Sequence, residues 1–186
     1  MKKLLIVLSS VRSGRAADNI LKLVQDELKD FQDFSVQIAD FNKMPLPFFN
    51  ADKSPSADDF RPEDANVIKW GEMVDEADAV IFLTAEYNHS YTPVIKNAID
   101  WLYQQWDQKP VALIGYGWVG GARAIKHLRD VLASNINANA LPAEATLNFT
   151  KEINIDGTAN DSVAVTESIQ SVLNGIKDAV SEPVTV

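Results

Sequence analysis

Three uninterrupted apolar runs, Leu4-Leu5-Ile6-Val7-Leu8, Ala79-Val80-Ile81-Phe82-Leu83 and Val111-Ala112-Leu113-Ile114, fix the architecture before anything else is considered. Each has strand length, and a strand with no polar residue on either side must be covered on both faces. That is the situation of an inner strand in a parallel sheet sandwiched between helices. Two further segments, Phe34-Ser35-Val36-Gln37-Ile38 and Asn137-Ala138-Asn139-Ala140-Leu141, alternate apolar and polar residues, as strands with one face nearer solvent do. These are the expected edges, and Ala145 to Phe149 offers an extension of the second.

Between the runs, apolar residues recur at helical spacing. Ala17, Ile20, Leu21, Val24 and Leu28 form one stripe, Val67, Trp70 and Val74 a second, and Val94, Ile95, Ala98, Ile99 and Leu102 a third. Ile125, Leu128 and Leu132 form a fourth, and Val165, Ile169, Val172, Leu173, Ile176 and Val180 a fifth. Thr92 followed by Pro93 gives the third helix a cap and a first-turn proline. Strand and helix therefore alternate five times. With strands two and five at the edges the order is 2-1-3-4-5, a flavodoxin-like α/β three-layer sandwich with helices on both faces of a parallel sheet. The proline- and acid-rich stretch from Met44 to Pro62 reads as a surface excursion after strand two.

Length and charge narrow the function. A chain of 186 residues is most simply one domain, 1–186, and folding at this size buries roughly 70% of the unfolded surface. Cysteine is absent and the two histidines, His89 and His127, are far apart, so disulfides, thiolate nucleophiles and a metal site are not expected. A formal charge of -9 argues against a nucleic-acid surface, which needs a concentrated excess of Lys and Arg. Leu4 to Leu8 is too short for a signal or a membrane span, and the end, Ser181 to Val186, reads as a polar tail. A cytoplasmic protein with no membrane partner is the expectation.

Three loops should meet at the carboxyl edge of the sheet, where open α/β folds bind phosphorylated ligands. In the first, Ser10-Val11-Arg12-Ser13-Gly14-Arg15, free N–H groups at a helix start, with the Arg12 and Arg15 guanidiniums and the Ser10 hydroxyl, suit a phosphate. The G-x-x-x-x-G-K-[ST] pattern of nucleoside-triphosphate loops is absent. In the third loop, Gly115, Gly117 and Gly120 spell G-x-G-x-x-G, yet Asn135 to Leu141 holds no acid to bind a ribose. The glycines are better read as letting the backbone approach a flat ligand, since a tight turn alone leaves Gly121 idle.

The middle loop gives the direction. Glu86-Tyr87-Asn88 and Ser90, followed by Pro93 and Lys96-Asn97-Ala98-Ile99-Asp100-Trp101-Leu102, resemble the NADPH-dependent FMN reductase family, which includes quinone, azo and chromate reductases. The resemblance runs from the Ser10-x-Arg12-x-Gly14-Arg15 loop to Gly117-x-x-Gly120-Gly121-x-Arg123-Ala124. It implies that Ser10, Arg12, Gly14 and Arg15 hold the FMN phosphate. Glu86, Tyr87, Asn88 and Ser90 then border the isoalloxazine ring, and Gly117, Gly120 and Gly121 close its other side. The family usually has glycine where Ser9 stands and proline where Ala85 stands.

With flavin carrying the chemistry, no side chain is required as a catalytic acid or nucleophile. His89 reads as a pocket-rim residue, His127 as a helix-surface residue, and Glu86 as a carboxylate held by N–H groups. Trp118 lies between the site glycines and can stack on a substrate. The expected activity is a ping-pong transfer of two electrons from NADPH or NADH to a quinone, azo compound, free flavin or metal oxyanion. The alternatives are an electron carrier, disfavoured by the two arginines, and a redox-sensing flavin-binding interaction module. Trp101, Tyr103 and Trp106, beyond the stripe of the third helix, form an aromatic surplus that points to a homodimer or homotetramer.

Overall fold

The computed structural model describes residues 1–134 and 136–181; beyond Ser181, the polar tail read from the sequence lies outside them. Five parallel strands, β1 (Lys2–Leu8), β2 (Phe34–Asp40), β3 (Ala79–Ala85), β4 (Pro110–Gly117) and β5 (Asn139–Asn148), pair in the order β2-β1-β3-β4-β5. The helices are α1 (Ala17–Glu27), α2 (Ala65–Glu76), α3 (Pro93–Asp100), α4 (Ala122–Leu132) and α5 (Ser162–Ser181). The unbroken apolar runs lie in the three inner strands, and their alternate side chains feed two cores. Leu4, Ile6, Leu8, Ile81, Leu83 and Ile114 pack against α1 and α5. Leu5, Val7, Val80, Phe82, Val111 and Leu113 pack against α2, α3 and α4. Among the described residues, no helix is long and apolar enough to cross a membrane.

The helix starts differ in a way that matters for the site. Asp64 caps α2 by accepting from the N–H groups of Asn66 and Val67, and Thr92 caps α3 by accepting from Ile95. Ala16, at the start of α1, offers no side-chain cap, so that positive helix end is left for another acceptor.

Two expectations change here. The fifth strand runs on from Asn139 through Asn148, with a register irregularity opposite Val111 and Leu113. Pro142 broke the sequence pattern, but an edge strand tolerates a proline beside a bulge. The aromatic surplus after the third helix is also spent inside the chain. Trp106 is fully buried in a short 3₁₀ turn, with ring centroids 5.9 Å from Trp70 and 5.8 Å from Phe82. Trp101 is 5% exposed. The excursion after β2 covers it, with Pro47 O accepting from Trp101 Nε1 at 2.8 Å and Phe49 packing edge-on at 4.9 Å. The helix ends at Asp100, so Trp101 and Trp106 turn inward instead of lining a solvent face, while Tyr103 stays half-buried.

Candidate functional site

The carboxyl ends of β1, β3 and β4 open into a cleft of about 480 Å³. From the sequence-predicted set it is lined by Ser10, Arg12, Gly14, Arg15, Glu86, Tyr87, Asn88 and Gly117. Ser90, Gly120 and Gly121 stand outside its wall. A larger hollow, of about 1050 Å³, lies at the opposite end of the strands around Lys2, Asp33 and Asp78. That is the amino edge, away from where this sheet type binds ligands.

The loop after β1 is fastened from below. Ser9 is buried; its hydroxyl donates to Leu83 O at 3.1 Å, and its carbonyl accepts from Thr92 Oγ1 at 3.2 Å. Serine in place of the family's glycine thus adds a tie to β3. Ser10 Oγ pairs with Tyr87 Oη at 2.9 Å. Beyond it, Arg12 is exposed and meets no protein acceptor among the described residues, and neither do the backbone N–H groups of Val11 to Gly14.

Arg15 behaves otherwise. Its side chain is 5% exposed and all five of its N–H groups are used. Nε donates to Asp18, Nη1 to Ser10 O at 2.6 Å and to Asp40 at 2.7 Å, and Nη2 to Asp18 and to Asp40 at 2.7 Å. These bonds hold the Asp40 carboxyl below its usual range and raise the guanidinium above its own. Arg15 therefore differs from the expectation of a phosphate donor, because it has no N–H left to give. It is a strut between the end of β2 and the loop, and Asp40, which the sequence did not single out, is its anchor.

In the middle loop, Tyr87 and Ser90 exchange N–H···O bonds at 2.8 and 3.0 Å around Asn88 and His89, whose φ angles are 48° and 68°. Two successive positive φ values make this a type I′ turn, which asparagine tolerates and histidine adopts under strain. The turn sends His89 to the cleft rim and Ser90 to the back, where its hydroxyl meets His127 Nδ1 at 3.1 Å. His127 is thus exposed, as expected of a helix-surface residue, but tied to this loop. Glu86 carries a largely buried carboxylate paired with the Arg123 guanidinium at 3.1 Å and backbone N–H at 3.2 Å. These two contacts fix its position.

The glycine loop divides in two. Gly117 borders the cleft, and a Cβ there would lie 3.6 Å from Glu86 Cβ, at ordinary contact distance. Gly120 and Gly121 serve the fold. A Cβ at Gly120 would lie 2.8 Å from Thr146 Cβ, and one at Gly121 only 2.5 Å from Tyr116 N, with φ angles of 67° and 73°. The turn that the sequence reading judged insufficient for Gly121 is its whole requirement.

Tyr116 is the residue whose importance the sequence hid. It lines the cleft at 4% exposure, and its hydroxyl is a buried side-chain oxygen without a hydrogen-bond partner. Ser10 Oγ lies near it but is engaged with Tyr87. Burial pushes the phenol above its ordinary range, so the group stays a protonated donor. An unmet buried hydroxyl costs roughly 1–3 kcal/mol. Behind it, Phe149 packs 6.3 Å from Tyr116 and edge-on to the exposed Trp118 at 5.6 Å, forming an apolar wall. No cluster of three metal-ligand side chains occurs among the described residues.

Known proteins resemble this chain in sequence and fold. An NAD(P)H-dependent FMN reductase, ntnL, of Nectria sp is 33% identical over 90% of this chain and 86% of its own length. A 2-hydroxy-1,4-benzoquinone reductase of Burkholderia sp is 38% identical over 54% of this chain and 55% of its own. The flavoenzyme NAD(P)H:(acceptor) oxidoreductase FerB of Paracoccus denitrificans superposes with a TM-score of 0.76 and 25% identity, covering 97% of this chain and 98% of that one. The family model for NADPH-dependent FMN reductases matches residues 2–152. That span takes in all three site loops and the Arg15–Asp40 strut, and by it this chain belongs to the NADPH-dependent FMN reductase family.

Proposed function

We propose that the protein is an FMN-dependent oxidoreductase that takes two electrons from NAD(P)H and passes them, in a ping-pong sequence, to a quinone or another small acceptor. One observation carries this reading: the cleft gathers unused hydrogen-bond donors at one end and an open apolar wall at the other. At the first end stand Arg12, the N–H groups of Val11 to Gly14, the uncapped start of α1 and the orphaned Tyr116 hydroxyl. This is what a phosphate monoester requires. At the second end, Gly117 carries no side chain and Trp118 and Phe149 offer flat surface, which suits a fused ring. FMN has both parts, and when bound it supplies the two-electron chemistry that no side chain here can.

The chain's own residues then have defined work. Arg12 and the loop amides hold the phosphate, while Arg15, through Asp40 and Ser10 O, keeps that loop in shape. Glu86, Tyr87 and Asn88 border the ring edge, with Glu86 oriented by Arg123 and not free to act as a base. Ser90, Gly120 and Gly121 support these contacts from behind. Gly117 keeps one ring face open, and a single open face must serve electron donor and acceptor in turn. The benzoquinone reductase among the relatives supports a quinone as the acceptor.

The test is anaerobic mixing with FMN and NADPH, followed by steady-state kinetics with a benzoquinone. Rapid flavin bleaching and parallel double-reciprocal lines are expected. Bleaching only after a separate reductase is added makes the protein a carrier, and intersecting lines refute the shared face.

A further inference from the structure

We infer that Tyr116 Oη donates a hydrogen bond to the phosphate of the bound flavin nucleotide, so that this residue selects FMN over riboflavin. The inference rests on the FMN reading above. Tyr116 sits at the end of β4 opposite Ala85 in the β3 register, and both side chains lie on the sheet face covered by α1 and α5. From there the phenol reaches across the small Ala85 toward the loop after β1. Ser10, the first residue of that loop, lines the cleft with Tyr116 and lies near its hydroxyl. The hydroxyl therefore lies toward the phosphate end of the cleft.

No neighbouring group completes it. Ser10 Oγ and Tyr87 Oη are paired with each other, the Asp18 carboxylate accepts from Arg15, Arg15 brings only donors, and no side chain bonds the Tyr116 hydroxyl. An acceptor brought by a ligand completes it, and a phosphate monoester brings acceptors in excess. A neutral donor of this kind adds a bond to the anion without adding charge to the core.

Tyr116→Phe removes one oxygen and leaves the ring packed on Phe149. Binding is read by flavin fluorescence, titrating FMN and riboflavin separately against wild type and variant. The FMN dissociation constant should rise about tenfold, while riboflavin affinity stays within about twofold. The ligand-free variant should melt at the same temperature as wild type or higher, because an unmet buried hydroxyl has gone. Equal losses for both flavins would assign the hydroxyl to the ribityl chain or ring and overturn the inference, as would no loss for either. A lower melting temperature without ligand would reveal a structural bond and overturn it too. If wild type itself fails to prefer FMN over riboflavin, the phosphate reading fails; if wild type prefers FMN and the variant keeps that preference, only the role of Tyr116 fails.

Discussion

The loops after β1 and β4 look alike in sequence, each a glycine-bearing turn from an inner strand into a helix, but the structure uses them in opposite ways. The loop after β1 leaves Arg12 and four backbone N–H groups open, and Gly14 has no atom within 4 Å of where a side chain would grow. The loop after β4 is folded onto its own strand, with Gly121 against the backbone of Gly115 and Tyr116 and Gly120 against Thr146. A glycine motif therefore does not say whether its space is kept for a ligand or for the chain. What separates the two cases is whether the space beside the glycine is empty, as at Gly14, or already filled by the chain, as at Gly120 and Gly121.

The largest effect expected from this contrast is on stability. In Gly121→Ala the new methyl group must displace backbone atoms at 2.5 and 2.7 Å, and φ is 73°. The loss should be about 3 kcal/mol or more. Gly14→Ala meets only the conformational penalty of its positive φ, about 1 kcal/mol. Urea unfolding of both variants measures the difference, and equal losses would mean that the two loops are packed alike.

The arginines divide the same way. Asp40→Asn takes one of two carboxylates from the buried Arg15 guanidinium, leaving Asp18, and should cost about 2 kcal/mol. The sign with pH follows from the direction of the shift. Because Arg15 lowers the Asp40 value in the folded protein, the pair contributes fully above the unfolded carboxyl value, near ~4, and its contribution fades as pH falls through the lower folded value. Stability of Asp40→Asn should lack that acid-side decline. Arg12→Ala should leave the unfolding free energy within about 0.5 kcal/mol and weaken FMN binding about tenfold to a hundredfold, or roughly 1.5–3 kcal/mol. Arg12→Ala that unfolds easily, or binds FMN unchanged, would merge the two roles and refute the division.

How far the sequence reached follows from the range of each interaction. Strand order and both cores were legible because burial on two faces writes an unbroken apolar run, as in Leu4 to Leu8. The position of the cleft was legible because three such runs each end in an unusual loop. The difference between Arg12 and Arg15 was not, since it depends on Asp40, 25 residues away and brought alongside only by the β1–β2 pairing. Tyr116 was hidden for a related reason. An aromatic at a strand end reads as packing, and only the fold reveals that its hydroxyl finds no partner. The turn at Asn88 and His89 lacked its usual glycine, so nothing local announced it.

The smallest effect concerns Ser9, which underlies the open loop without reaching the cleft. Ser9→Gly restores the family's usual residue but removes the hydroxyl bond to Leu83 O and frees the unfolded chain, a loss of about 1 kcal/mol. Its carbonyl, the acceptor for Thr92 Oγ1, remains, so the path of the loop and the open donors above it should persist. FMN affinity should then stay within about twofold of wild type while the melting temperature falls by a few degrees. A larger change in affinity than in stability would mean that the Ser9 tie to β3 shapes the phosphate loop directly, and that the open loop depends on the strand beneath it.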